Sequence, residues 1–262
     1  MLELANQFNN QNILIYGFGK SGRACFKYLR KNNKIEIYDD KKSSIPKNLK
    51  KNSINKTKLT SVNFDRIVVS PGIDINKCTI KKYLSKNKSK IISELDIFYL
   101  NNIKNKKITI TGTNGKSTTS KLLHDVLKKH GKDVRLVGNI GKPLLSEKNI
   151  KPQTIFVIEA SSYQIEYSKY FKTDFAIILN ISPNHLERHR TFKNYIKSKF
   201  RLIKSQKKNS FAFIEKNNNF LKEELKKNKI NSKIIKVNLK ISNKIKKKIK
   251  NPYFENKNNL NN

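Results

Sequence analysis

Apolar runs of strand length alternate with stretches of helical spacing along most of this chain. NILIYGFGKSG, from Asn12, is an apolar run that breaks into glycines, and a helical stretch follows with Ala24, Phe26, Tyr28 and Leu29 as its apolar side. KIEIYDD predicts a second strand ending at Asp39 and Asp40, and FDRIVVSPGI a third that stops at a Pro-Gly turn. Between them, Lys41 to Thr60 is rich in lysine and serine and reads as a loop or a weak surface helix. KIISELDIFYLNN adds a short strand and a helix, and the polar NNIKNKK reads as a linker.

From Lys107 the pattern restarts. The strand KITITG runs into GTNGKST and then into the helix SKLLHDVLKKHG, where Leu122, Leu123, Val126 and Leu127 sit at helical spacing. Lysines fill its last turn and Gly131 marks its stop. TIFVIEAS and DFAIILNIS are buried-strand patterns ending in polar residues, and SFAFIEKN reads as another strand. Beyond Leu221 the lysine- and asparagine-rich sequence shows no clear organisation. Strands alternating with helices predict an α/β protein built on parallel sheets, with one domain over 1–104 and a second over 105–262.

Composition narrows the class. At 262 residues with 36% hydrophobic content, 14 Phe and 10 Tyr, the chain carries enough apolar bulk for packed cores and too much for wholesale disorder. No apolar run approaches the ~20 residues of a membrane span, and MLELANQFNN lacks the pattern of a secretory signal. Two cysteines, Cys25 and Cys78, make no disulfide framework and lack metal-ligand companions at useful spacing. A cytoplasmic protein is expected, and a monomer. The formal charge of +38 invites a nucleic-acid reading. However, only 7 of the 57 basic residues are Arg, the side chain that reads phosphates and guanine edges in a bidentate way. Lysine, 50 residues, and asparagine, 35, are scattered over every segment, which fits a solvated surface without a specific nucleic-acid partner.

Two glycine-rich turns carry candidate chemistry. Gly17, Phe18, Gly19, Lys20, Ser21 and Gly22 form GxGxxG directly after a strand, with Asp39 a further strand away. That spacing suits a nucleotide phosphate on a helix N-terminus, and equally a tight turn without a ligand. Gly112, Thr113, Asn114, Gly115, Lys116 and Ser117 end in GKS between a strand and a helix, with Thr118 following. Backbone N–H groups there can cradle phosphates, Lys116 can reach the outer ones, and the Ser117 hydroxyl can hold Mg²⁺. It is not a standard Walker A sequence, because Ile110 stands where the first glycine would be. Mg²⁺ also wants a carboxylate, and Glu159 ends the strand IFVIEA at the edge where a parallel sheet presents its ligand residues. His185 follows FAIILNIS in the same way.

ITGTNGKST, GNIGKP at Gly138, EASSYQIE at Glu159 and NISPNHLERH at Asn180 occur in the order found in the ATP-dependent Mur ligases of peptidoglycan synthesis, and the chain resembles that family over nearly its whole length. GFGKSG with SPGI at Ser70 makes the likeness nearest to the branch that adds D-glutamate. The resemblance implies a Rossmann-like domain that binds UDP-sugar, followed by an incomplete P-loop-type ATPase domain. It implies ATP-dependent ligation of D-glutamate to UDP-N-acetylmuramoyl-L-alanine through an acyl phosphate. By the same resemblance Lys116 stabilises the transferring phosphoryl group, and Ser117 and Glu159 hold one Mg²⁺. His185 holds a second beside a carbamylated lysine, for which Lys199 in TFKNYIKSKFRLI is the candidate. Asn139, Ser161 and Gln164 would touch the muramoyl-alanine portion, and the Gly17–Gly22 turn, Asp39, Asp40 and Gly72 would hold UDP. Two departures stand out. Asn184 replaces the family's Asp before the histidine, and NPYFENKNNLNN matches an adenine-contact segment through Asn259 and Asn262, with Asn258 replacing its His. Family members continue into a domain that binds D-glutamate and closes over ATP. The expectation is therefore a ligase impaired in this truncated chain, and the alternative a non-catalytic remnant that binds UDP-sugar.

Overall fold

In a computed structural model of the chain, residues 8–238 are described, and they form two compact units. The first comprises residues 1–105 together with 137–152 and 163–171, and the second comprises 106–136, 153–162 and 172–262. The division is thus not a single cut: two later stretches of chain belong to the first unit.

The first unit is built on β1 (Asn12–Tyr16), α1 (Lys20–Leu29), β2 (Lys34–Tyr38), β3 (Arg66–Val69), α2 (Lys81–Lys86), β4 (Ile91–Ile92) and α3 (Glu94–Asn101). Its four strands are all parallel, in the order β2-β1-β3-β4, with Tyr16 opposite both Tyr38 and Val69. Ile13, Leu14, Ile15 and Tyr16 are fully buried, because a parallel strand covered on both faces needs an unbroken apolar run. Residues 41–62 form short 3₁₀ turns, Lys42–Ser44, Lys47–Asn52 and Lys56–Ser61, the surface segment that the sequence pattern leaves between helix and loop. On α1 the packed face is Gly22, Cys25, Phe26 and Leu29, whereas Tyr28 is 40% exposed. The spacing i, i+3, i+4, i+7 selects that face and leaves Tyr28 off it, despite its apolar ring.

The second unit contains β5 (Lys106–Thr111), α4 (Lys116–Lys129), β7 (Ile155–Glu159), β8 (Phe175–Ile178), α6 (Leu186–His189), α7 (Phe192–Lys204), β9 (Phe211–Glu215), α8 (Asn219–Lys227) and β10 (Lys233–Val237). Strand β6 (Val134–Gly138) and helix α5 (Ser162–Glu166) lie where the chain passes from one unit to the other. The six-stranded sheet runs β10-β9-β8-β5-β7-β6, with β5, β7, β8, β9 and β10 parallel. α8 and β10 give order to sequence beyond Leu221 whose composition hides it, and β6 is a strand that the apolar pattern alone did not announce. On α4, Leu123 and Leu127 pack on Ile110, Val134 and Val157, while Leu122 and Val126 are 62% and 45% exposed. Leu123 and Leu127 make up the sheet-facing side of α4, and Leu122 and Val126 lie off it. Among the described residues no helix is long and apolar enough to cross a membrane.

Parallel strands place both ligand-competent edges at strand C-termini: Tyr16, Tyr38 and Val69 in the first sheet, and Thr111, Glu159 and Ile178 in the second. The opposite end of the second sheet carries Lys107, only 1% exposed, whose amine is pushed down to about pKa 8 by burial, with Asp174 opposing the shift. The unfolded chain keeps this proton at the ordinary lysine pKa, so the folded form gains stability as pH rises from about 8 towards 10.5 and loses it as pH falls. Urea denaturation across that window should show the gain, roughly 3 kcal/mol, and Lys107→Met should flatten it. Parallel pH profiles for the two proteins would contradict the assignment.

Candidate functional site

At the edge of the first sheet, β1 turns into α1 through Gly17–Gly22. A Cβ on Gly22 would run into the Gly17 carbonyl oxygen, so only glycine lets the helix start this close to the strand. Asp39 shapes the turn, its Oδ2 accepting from the Phe18 amide at 2.7 Å and its Oδ1 from the Lys41 amide at 2.8 Å. Asp40 accepts from the Tyr16 hydroxyl at 2.6 Å and from the Thr79 hydroxyl. Burial and these neighbours push the Tyr16 hydroxyl far above its ordinary pKa, so it remains a donor. Phe18 turns its ring into the core against Phe26, at 5.7 Å between centroids. Both aspartates predicted to hold a nucleotide thus spend carboxylate oxygens on their own chain, and what the turn presents is backbone around Gly19 and Ser21. Gly72 lies just beyond β3 on the same edge. Asn139, exposed, and Gln164, buried, belong to this unit, whereas Ser161 belongs to the other.

At the second edge, β5 passes through Gly112–Gly115 into α4. Gly115 caps the helix at φ +75°, a left-handed conformation that favours glycine. The loop is held from the neighbouring strand end. The Asn114 amide donates to Asn180 Oδ1 at 2.8 Å, the Asn180 amide group donates back to the Asn114 carbonyl at 3.2 Å, and the Thr113 amide donates to the Asn180 carbonyl at 2.9 Å. The Thr113 hydroxyl accepts from the Ser182 amide at 3.0 Å and meets the Tyr195 hydroxyl at 3.1 Å. Lys116 folds back, its Nζ donating to the Gly112 carbonyl at 3.0 Å and the Thr113 carbonyl at 2.7 Å. Its amine is pushed down by burial, and the Glu159 carboxylate opposes that shift. Ser117 and Thr118 are exposed on the first turn of α4.

Lys199 comes from α7, a helix capped by Thr191, and is 1% exposed. Its Nζ donates to the same Gly112 carbonyl at 2.8 Å and to the Thr111 hydroxyl at 3.3 Å, and lies 4.8 Å from the centre of the Tyr195 ring. Burial first and the Lys116 charge second push its amine down to about pKa 7. Tyr195, one turn earlier, also packs against His189 at 5.4 Å and His185 at 6.4 Å. His185 has φ +55° and Arg190 φ +67°, so non-glycine residues in left-handed backbone bracket the four-residue α6. Such strain costs ~1–3 kcal/mol per residue and recurs at functional turns. The Asn184 side-chain oxygen accepts from the His185 amide at 2.8 Å, so an amide here supplies a backbone contact that a carboxylate could also make. His189, buried, pairs Nε2 with the Ser162 hydroxyl at 3.0 Å. Burial, with the charges of Arg188, His185 and Lys199, pushes it down to about pKa 4 and keeps it neutral at pH 7.

Lys116, Lys199, Thr113 and His185 therefore gather around Tyr195 and the loop, with the Glu159 carboxylate acting on Lys116. Tyr195, Asn180 and His189 went unassigned in the sequence reading. The Tyr-x-x-x-Lys spacing is a signal for the first, since i and i+4 share a helix face. Among the described residues no group of three His, Cys, Asp or Glu is arranged to hold a metal ion. The predicted donor set contains only one carboxylate and one imidazole, the rest being the Ser117 hydroxyl and a lysine that needs CO₂ to become a ligand. The hard oxygen donors, Glu159 fully buried at a strand tip and Ser117 at the helix start, fit Mg²⁺. Asn259 and Asn262 lie outside the described residues.

A model of the Mur ligase middle domain matches residues 110–261, and one of the MurD-like N-terminal domain of Mur ligases matches residues 11–93. The chain belongs to the Mur ligase family. It is 34% identical over 224 residues to a UDP-N-acetylmuramoylalanine–D-glutamate ligase of Caldicellulosiruptor bescii, covering 81% of this chain and 49% of that protein. An enzyme of the same name from Elusimicrobium minutum is 39% identical over 224 residues, covering 80% of this chain and 49% of that one. The Mur ligase chain described here thus spans about half the length of the curated relatives it matches. Its fold resembles the crystal structure of UDP-N-acetylmuramate:L-alanyl-gamma-D-glutamyl-meso-diaminopimelate ligase from Neisseria meningitides, with a TM-score of 0.55 at 16% identity over 87% of this chain and 78% of that one.

If Asn180 holds the loop as described, Asn180→Ala removes two of its hydrogen bonds to Asn114 and should cost about 1–2 kcal/mol in urea denaturation. Unchanged stability would show that the loop is held elsewhere.

Proposed function

We propose that this chain binds ATP and UDP-N-acetylmuramoyl-L-alanine and activates the alanyl carboxylate for amide formation with D-glutamate. The observation that carries this reading is the pairing of Lys116 and Lys199 on the Gly112 carbonyl, at 3.0 and 2.8 Å. Two amines are driven into one loop, each pushed down by burial, and Lys116 is the one left to meet an anion once Lys199 is carbamylated. The amides at the start of α4 face the same space, and a helix N-terminus adds partial positive charge.

In the reaction, Lys116 leaves the loop carbonyls and follows the γ-phosphoryl group as it passes to the carboxylate oxygen of alanine. This is phosphoryl transfer by positioning and charge stabilisation. The D-glutamate amine then attacks the acyl phosphate carbon, and the tetrahedral adduct expels phosphate as the amide forms. Bound Mg²⁺ supplies charge neutralisation at the phosphoryl oxygens; Ser117 and Glu159 are donors for one ion, and His185 with carbamylated Lys199 for a second. Lys199 suits that modification. An amine with pKa about 7 is substantially neutral at physiological pH, so it can add to CO₂, releasing one proton and gaining two anionic-sharing oxygens. Asn139, Ser161 and Gln164 would hold the muramoyl-alanine portion. The Gly17–Gly22 turn, with Asp39, Asp40 and Gly72, would hold UDP on the amides at the start of α1, and Asp39 also fixes that turn through the Phe18 amide. With these substrates the chain would work in the cytoplasm.

Calorimetric titration separates the two ligand sites. A non-hydrolysable ATP analogue with Mg²⁺ and UDP-N-acetylmuramoyl-L-alanine should each bind the wild-type chain. Lys116→Ala should weaken the first by roughly 10–100-fold and leave the second unchanged, as expected for losing hydrogen bonds to a charged group. Binding of the UDP-sugar without any nucleotide binding would favour the non-catalytic reading and overturn this one.

A further inference from the structure

Helix α3 begins with a capping box in which Ser93 and Asp96 satisfy each other's backbone amides. Capping alone would leave its acids near water, yet Glu94 is 5% exposed and Asp96 not at all. A carboxylate withdrawn from water is strongly unfavourable unless donors surround it. The donors are present, and they come from elsewhere in the first unit. Asp96 Oδ2 accepts from the Ser93 amide at 2.9 Å and hydroxyl at 3.0 Å. Its Oδ1 accepts from three consecutive amides, Lys169 at 2.9 Å, Tyr170 at 2.7 Å and Phe171 at 3.0 Å. Glu94 accepts from the Leu145 amide at 3.4 Å, from the Leu144 amide and from the Ser21 hydroxyl, and faces the Lys20 ammonium. Burial pushes its carboxyl up, and these contacts pull it back.

These partners belong to three separate stretches. Ser21 and Lys20 lie on the glycine-rich turn, Leu144 and Leu145 in the stretch 137–152, and Lys169 to Phe171 in the stretch 163–171. The last two are the later segments that join the first unit, and they bring Asn139 and Gln164 with them. A cavity of about 390 Å³ opens between α1 and the 143–146 turn, lined by Gly19, Lys20, Arg23 and Lys27 on one side and Pro143 and Ser146 on the other. Glu94 ties together its two walls.

We infer that Glu94 and Asp96 are positioning residues for the UDP-sugar site that do not touch the ligand, Glu94 fastening the Asn139 stretch to the glycine-rich turn and Asp96 fastening the Gln164 stretch to the start of α3. This inference rests on the substrate reading proposed above. The shape of the site is then set by hydrogen bonds to two inward-facing carboxylates. Replacing either oxygen acceptor with an amide group sets N–H against N–H and loosens one stretch.

Glu94→Gln and Asp96→Asn are each titrated with UDP-N-acetylmuramoyl-L-alanine and, separately, with Mg·ADP. Each should bind the UDP-sugar at least tenfold more weakly while Mg·ADP affinity stays within twofold. Amide hydrogen exchange should quicken at 144–145 in the first variant and at 169–171 in the second. Unchanged UDP-sugar affinity, or equal loss for both ligands, overturns the positioning role. The wild-type chain provides a measurement that does not depend on the variants folding: its amides at 145 and 169–171 should be protected, and further protected by UDP-sugar but not by Mg·ADP. Affinity for the UDP-sugar with unprotected amides overturns this inference. Protected amides with no such affinity overturn the substrate reading.

Discussion

Two lysine side chains converge on the carbonyl oxygen of Gly112, and the candidate chemistry of the second unit depends on that convergence. Lys116 arrives from the helix that follows the loop, and Lys199 from a helix more than eighty residues later. Burial pushes both amines down, and the Lys116 charge adds to the shift on Lys199. The loop tolerates them because carbonyl oxygens, the Thr111 hydroxyl, the Tyr195 ring and the Glu159 carboxylate surround them. The ligand-free loop thus already gathers amines and backbone amides where a phosphate is proposed to bind. Cations and amides placed beside a transferring phosphoryl group stabilise the charge that develops on it.

The first unit solves a related problem with acids. The whole chain has 19 acidic residues against 57 basic ones, and many of the acids bond inward. Asp39 and Asp40 hold the glycine-rich turn and the loop beyond β3, and Glu94 and Asp96 hold the two later segments. Asp174 plays a comparable part at the far end of the second sheet, accepting from the Lys107 amide at 2.8 Å. The large positive charge is therefore a property of the solvated lysine surface, while the internal geometry is set by a small number of carboxylates.

Much of this was legible in the residues. Unbroken apolar runs such as ILIY and IFVI announce parallel strands, because both faces of such strands are covered. Glycines after strands announce the two turns. What the sequence hid has physical causes. Leu122 and Val126 look as apolar as Leu123 and Leu127, yet only the second pair faces the sheet. Strand β6, at the sheet's edge, is broken by Arg135 and ends on Gly138, so no long apolar run betrays it. The hydrogen bonds that Asp39 and Asp40 make within the chain were hidden because Phe18, Tyr16 and Thr79 are distant in sequence. The same long range concealed Tyr195 as the residue joining Thr113, His185 and Lys199, and it concealed the second function of the acids in α3.

The central claim is that the loop between Gly112 and Ser117 receives a triphosphate through Lys116 and the amides at the start of α4. A crystal structure of the chain with a non-hydrolysable ATP analogue and Mg²⁺ tests it directly. The account predicts phosphates on the amides at the start of α4, with Lys116 Nζ moved from the Gly112 and Thr113 carbonyls onto the γ-phosphate and Lys199 still beneath the loop. Phosphates bound elsewhere, or bound here with Lys116 still on its carbonyls, would contradict it.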